Sequence, residues 1–356
     1  MGSQPMFQPI SPGAFRLLLA LLVVVDHASG LHLGLAAVYL FFILSGFWIH
    51  RMWETKYRLA RGKLVTFYLS RLWRLVPVMA GAMVITVLVQ SVIDGVDPRA
   101  LLSGMTAMQL LSHVFILGYG LTPAPLLLPP AWTLDLEMQF YLLAPLLCLA
   151  IRRTGIVLPL AATTVLAIYP SLASAFLPVA PYLVLFVIGM AASARQWRPG
   201  SRLQWLSAGA TAALFAGLVA SGHQAVLFAS GDDPATSALN WVAALFLAPV
   251  ALGTVWRPSP RDDAVFADLS YIIYLVHWPL VQWAAAIPDD ASPLAWAALA
   301  CAVVLLPAVL LVVDRALGRT RTAWVAGRLR AASRSLPEPI RTEQPASAPA
   351  TAKPAA

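Results

Sequence analysis

Charged side chains are scarce in this chain: Asp, Glu, Lys and Arg make up 11% of its 356 residues, where a soluble domain carries roughly 25%. With 60% hydrophobic residues and a mean hydropathy of +0.76, that shortage excludes an ordinary soluble domain and indicates an integral membrane protein. Cysteine is nearly absent. Cys148 and Cys301 both fall in apolar runs, so they read as small core residues, and no disulfide framework is indicated. Strict apolar–polar alternation is missing, which excludes a transmembrane β-barrel. The apolar runs are long and unbroken, so the spans are helices. The six histidines are scattered and no HExxH or CxxC spacing occurs, so no metal site is expected. No internal repeat of the kind transporters often carry is visible.

The net charge of +8 does not point to nucleic acid, because the basic residues cluster in short segments between apolar runs. That is the pattern of cytoplasmic loops. Runs of about 17–25 residues can cross a bilayer, and ten are found near 12–30, 33–50, 75–93, 132–151, 156–176, 179–195, 205–221, 238–256, 267–287 and 294–313. The first resembles a signal-peptide core in length. Asp26 and His27 inside it, and the lack of a small-residue cleavage site, indicate that it stays in the protein.

A weaker run covers 107–121, and counting it as a span would put Arg152 and Arg153 outside, against the charge rule. It is therefore expected to be a short non-spanning helix. With ten crossings and both termini cytoplasmic, every Lys and Arg except Arg16 and Arg99 falls on the inner side or in the tail. Asp94, Asp97, Asp232, Asp233, Asp289 and Asp290 fall outside. A membrane domain over 11–318 is expected, then a basic cytoplasmic tail over 319–356 that becomes Pro/Ala-rich and disordered from about 335.

Within this frame a few polar residues stand out. Arg16 and His27 are separated by ten residues, which on a helix puts them on nearly one face, ~16 Å apart. Intramembrane charges are functional-site hypotheses by default, and histidine is the side chain best placed to take a proton near neutrality. The competing readings are a packing histidine and a positive-inside arginine anchor. Asp26 points ~100° away from His27, so it reads as a structural partner. Ser45 and Gly46 are small enough to admit another helix or a ligand chain.

Arg71 and Arg74 share a helix face at the cytoplasmic mouth, where two guanidiniums suit either donor phosphates or anionic lipid headgroups. Trp132 opens the fourth span, followed by Glu137 and Tyr141 one turn apart. By position in its span, Glu137 is expected at about the depth of His27, where a carboxylate could hold or relay a proton. Ser270, Tyr274 and His277 fall on one face just before Pro279, which bends helices.

Five strings, taken together, resemble the membrane acyltransferase-3 family. They are Arg16-x10-His27, Phe41-Phe-Ile-Leu-Ser-Gly-Phe47, Arg71-x2-Arg74-x2-Pro77, Trp132-Thr-Leu-x-x-Glu137-x-Gln-Phe-Tyr141 and Ser270-Tyr-x-x-Tyr-x-x-His-Trp-Pro279. They occur in the family's order, over about residues 11 to 318. Two positions depart from the usual pattern: Asp26, where many relatives have an aromatic or small residue, and Met138, where a second acid often follows the glutamate.

The resemblance implies an all-α, ten-helix enzyme of the bacterial inner membrane that O-acylates, usually O-acetylates, a carbohydrate or glycolipid. The donor it implies is cytoplasmic acyl-CoA, most often acetyl-CoA, as a co-substrate, with no permanently bound cofactor. Acceptors in the family include surface polysaccharides and lipopolysaccharide. His27 maps onto the family's catalytic histidine. Some relatives carry a further periplasmic domain, and here the acyltransferase domain is expected to stand alone.

The combined expectation places donor phosphates at Arg71 and Arg74, assisted by Arg16. His27 is the base, with Glu137 and Asp26 supporting it, and Ser45, Gly46, Trp132, Tyr274 and His277 contact substrate. Transfer through a covalent acyl-enzyme is the alternative route. A proton-coupled transporter or flippase using His27, Asp26 and Glu137 as a relay is the competing class.

Overall fold

The computed structural model describes residues 10–95, 97–103, 105–121, 127–230 and 233–334. The expected disordered stretch from about 335, and Asp232, lie outside the described residues. Every regular element among them is helical. The first half holds α1 (Pro12–Ser29), α2 (Gly34–Thr55), α3 (Lys63–Asp94), α4 (Pro98–Ser103), α5 (Ala107–Phe115) and α6 (Trp132–Thr154). The second holds α7 (Val157–Ile168), α8 (Leu183–Ala194), α9 (Ser201–Ala220), α10 (Pro234–Thr254), α11 (Asp263–Ala286) and α12 (Pro293–Arg334).

Local chemistry sets the ends that matter for the site. Pro12 opens α1, where its missing N–H leaves nothing unsatisfied, and Gly30 closes it in the left-handed region at φ 70°. The residue before α2, Leu33, offers no side-chain cap. Asp26 supplies it from α1 by accepting the Gly34 N–H at 2.6 Å, a favourable place for a carboxylate at a helix N-terminus. α1 and α2 are thus tied at one end, next to His27.

α2 is the central helix, packed on α1, α6, α8 and α10. Its contact with α8 depends on two glycines. A Cβ at Gly46 would run into the Phe186 carbonyl, and one at Gly189 would run into the Ile43 carbonyl. Such small-residue contacts let membrane helices approach backbone to backbone. α11 in turn packs on α1, α3 and α12, which closes the other side.

Among the described residues eight helices are long and apolar enough to cross a membrane: α1, α2, α3, α6, α9, α10, α11 and α12. The protein is an all-α, multi-pass integral membrane protein. On α12, Val304 and Val312 are 67% and 69% exposed, which gives that helix an apolar outer face suited to lipid. Cys301 also lies exposed on α12, so only Cys148 occupies the core as expected; both are free thiols.

The run expected to span 156–176 stops at Ile168, because Pro170 disfavours helix at Tyr169. α7 therefore has 12 residues, about 18 Å, against a hydrocarbon thickness of about 30 Å. The next run is also short, an apolar helix over Ala180–Ala194. The weak run at 107–121 holds the nine-residue α5, too short to span, opened by a capping box between Thr106 and Gln109.

Two helices are longer than expected. α3 begins at Lys63, so Arg71 and Arg74 sit well inside a 32-residue helix. α12 continues past the apolar run for a total of 42 residues.

Candidate active site

α1, α2, α3, α6, α11 and α12 enclose a cavity of about 320 Å³. It runs along α2 from Val38 to Met52, fourteen helical steps or about 21 Å. Its two ends carry different chemistry.

One end is lined by Arg16, Arg71, Arg74 and Arg321. Arg71 is buried and donates to the Tyr57 hydroxyl at 2.6 Å. Its guanidinium lies 5.4 Å from the Tyr57 ring centre and 5.9 Å from those of Phe67 and Tyr141. Aromatic faces favour a cation here, and its Nε is left without a hydrogen-bond partner. Arg74 is matched by two carboxylates, Asp268 at 3.1 Å and Asp314 at 3.3 Å, and lies over the Tyr271 ring. Arg16 has a buried Nε with no hydrogen-bond partner.

Among the described residues Glu137 is the only acid on the cavity wall, where its carboxylate accepts from the Ser45 hydroxyl at 2.9 Å and from Tyr141. It lies within electrostatic reach of Arg16. Towards the other end, the Thr133 and Tyr274 hydroxyls meet at 2.8 Å over the Pro130 carbonyl.

Past Tyr274 come two histidines. The Tyr274 and His277 rings are 6.0 Å apart, and the His277 and His27 rings 5.0 Å apart, edge to face. His27 also meets Trp278, at 5.5 Å. Each histidine turns Nδ1 towards a backbone carbonyl of its own helix, His27 to Val23 at 3.0 Å and His277 to Tyr274 at 2.7 Å. Those bonds assign the proton to Nδ1 and leave Nε2 with its lone pair. Nε2 of His277 is buried and unpartnered. The His27 side chain is 31% exposed. Asp26 stands 3.7 Å from His27 Nδ1 while it caps α2.

The structure brings Arg16, Ser45, Arg71, Arg74, Glu137 and Tyr274 onto one cavity, and pairs His27 with His277 behind Tyr274, outside the residues that line it. It puts Gly46 against α8 and Trp132 beside Tyr182, 6.1 Å ring to ring. The expected match in depth between Glu137 and His27 does not hold. Asp26, adjacent to His27, binds Gly34 at the end of α2, whereas Glu137 binds Ser45, eleven residues and about 16 Å further along. The cause is the entry to α6: Leu128, Pro130 and Ala131 are already buried, so this helix starts inside the protein.

The residues that the sequence reading missed are Arg321 and the pairing of Asp268 and Asp314 with Arg74. One signal was available, since Asp314 and Arg321 are seven residues apart and share a face if the helix continues.

No curated protein and no solved structure matches the chain. The family model described as an acyltransferase domain matches residues 11–313, a stretch that contains every cavity arginine except Arg321, together with both histidines. The chain therefore belongs to the acyltransferase-3 family and is a membrane acyltransferase.

Proposed function

We propose that the chain moves an acyl group, most often acetyl, from cytoplasmic acyl-CoA to a hydroxyl of a carbohydrate or glycolipid, with His27 as general base. The phosphate-bearing part of the donor lies at the arginine end, and the acyl thioester reaches along the cavity towards Tyr274. The observation that carries this reading is the polarity of one cavity, with guanidiniums at one end and two imidazole Nε2 atoms beyond the other.

In the transfer step the acceptor oxygen attacks the thioester carbonyl as His27 Nε2 takes its proton. The carbon–sulfur bond breaks, and the leaving thiolate recovers that proton from the imidazolium. The products are the O-acyl sugar and free CoA thiol. General base action of this kind is worth ~10²–10⁴-fold. The proposal includes ten crossings, with α7 and α8 as a short pair, both termini in the cytoplasm, and the bacterial inner membrane as the location.

The test compares surface glycans, by mass, from cells expressing wild type or His27→Ala. Loss of the acyl increment in the variant is expected, and an unchanged acyl pattern contradicts the role of His27. Purified protein in detergent should also consume acetyl-CoA, which a transporter of the glycan would not do. A reporter fused after Leu121 should read out on the outer side.

A further inference from the structure

The family match ends at residue 313, but α12 continues to Arg334. That extension is docked against the start of α3. The Arg61 N–H donates to the Arg328 carbonyl at 3.2 Å, and Arg328 Nε donates to the Thr66 hydroxyl at 3.3 Å. Trp324 meets Trp73 with ring centres 6.3 Å apart, and Val325 is 1% exposed. Gly62 lies beneath the Arg328 guanidinium, where an added Cβ would come within 2.7 Å. Together these contacts aim Arg321 into the cavity.

Charge then decides what the arginine end lacks. Both neighbouring aspartates are taken up by Arg74, and Asp268 is also shared with Arg315 at 3.5 Å. Glu137 is bonded to Ser45 and Tyr141. Among the described residues Arg321 makes no hydrogen bond or ion pair, and Arg16 and Arg71 each keep a buried Nε unpartnered. Besides Arg74, three guanidiniums therefore face one cavity with a single acid on its wall among the described residues. Concentrated positive charge in a low-dielectric cavity is costly unless a multiply charged anion completes it. Planar guanidinium forks match phosphate oxygens in pairs.

We infer that Arg321, outside the matched domain, binds the phosphate groups of the acyl donor together with Arg71 and Arg16, and that Arg74, already neutralised, does not. This inference rests on the acyl-CoA reading above. The extension of α12 is then part of the donor site, and not a solvated tail.

The experiment measures acetyl-CoA affinity by calorimetry on the full-length protein in detergent, for wild type, Arg321→Ala, Arg321→Lys and Arg319→Ala. Arg319 is exposed on the same helix, so its loss removes equal charge from outside the cavity. Arg321→Ala should weaken binding about tenfold to a hundredfold, the range of one charge-assisted contact. Arg321→Lys should fall between, and Arg319→Ala should match wild type. Equal affinity in wild type and Arg321→Ala overturns the assignment of Arg321 while leaving the donor reading intact. A wild-type protein that binds no acetyl-CoA overturns the donor reading, and this inference with it. A parallel measurement uses phosphatidylglycerol retained through purification. If Arg321→Ala loses that lipid but keeps its acetyl-CoA affinity, the anion is a headgroup and the inference fails.

Discussion

At the arginine end of the cavity, guanidiniums from α1, α3 and α12 gather, the two from α3 against the rings of Tyr57, Phe67, Tyr141 and Tyr271, whereas beyond the other end two imidazoles hydrogen-bond through Nδ1 to carbonyls of their own helices. The first arrangement spreads one task over several charges, so removing one leaves a partial function. In the proposed reaction the second relies on one of its two nitrogens, His27 Nε2, as the proton acceptor, so removing it should leave little. The two ends also differ in what fixes them. Arg74 is pinned by acids distant in sequence, while His27 is fixed within one turn of its own helix and by the tie from Asp26 to Gly34.

The largest effect should come from His27→Ala. Transfer is expected to fall ~10²–10⁴-fold or more with the donor KM unchanged, in steady-state assays of purified protein. A raised donor KM with intact turnover would erase the distinction between the ends.

Next comes Arg74→Ala, which leaves the buried Asp314 without its ion-pair partner and Asp268 with only Arg315. A loss of about 3–5 kcal/mol is expected from breaking such a pair, seen as a lower melting temperature in detergent. Arg74→Ala together with Asp314→Asn should recover part of that loss.

Gly46→Ala tests the scaffold that both ends share. Its new methyl meets the Phe186 carbonyl, so α2 and α8 must separate, at a cost of about 1–3 kcal/mol. Melting should shift down, with turnover and donor KM both affected in the folded fraction.

The smallest effect is expected for Glu137→Gln. The amide oxygen still accepts from Ser45 and Tyr141 while the charge beside Arg16 disappears. Turnover should fall by less than about tenfold, far less than for His27→Ala, because Glu137 belongs to the arginine end. A loss as deep as that of His27→Ala would return Glu137 to the proton path.

Much of this was legible from local pattern. The spacing of Arg16 and His27 needs only the helical repeat, and the weak run at 107–121 betrayed itself through the charges of Arg152 and Arg153. What was hidden depends on packing between distant helices. Ser45 meets Glu137 only because α6 begins below the surface, and the rotation of α2 is set by Gly46 against α8. Arg321 was hidden for a different reason. Beyond Asp314 the apolar pattern that marks a span disappears, although the helix carries on and docks through Trp324 and Arg328. The break at Pro170 was written in the sequence, and the apolar run around it masked it.

The central claim is that one cavity separates donor binding from proton transfer, and acetyl-CoA affinity of the full-length His27→Ala protein tests it most directly. Wild-type affinity, combined with loss of transfer to the acceptor, is the predicted result. Loss of acetyl-CoA binding in His27→Ala, or transfer undiminished by that substitution, would contradict it.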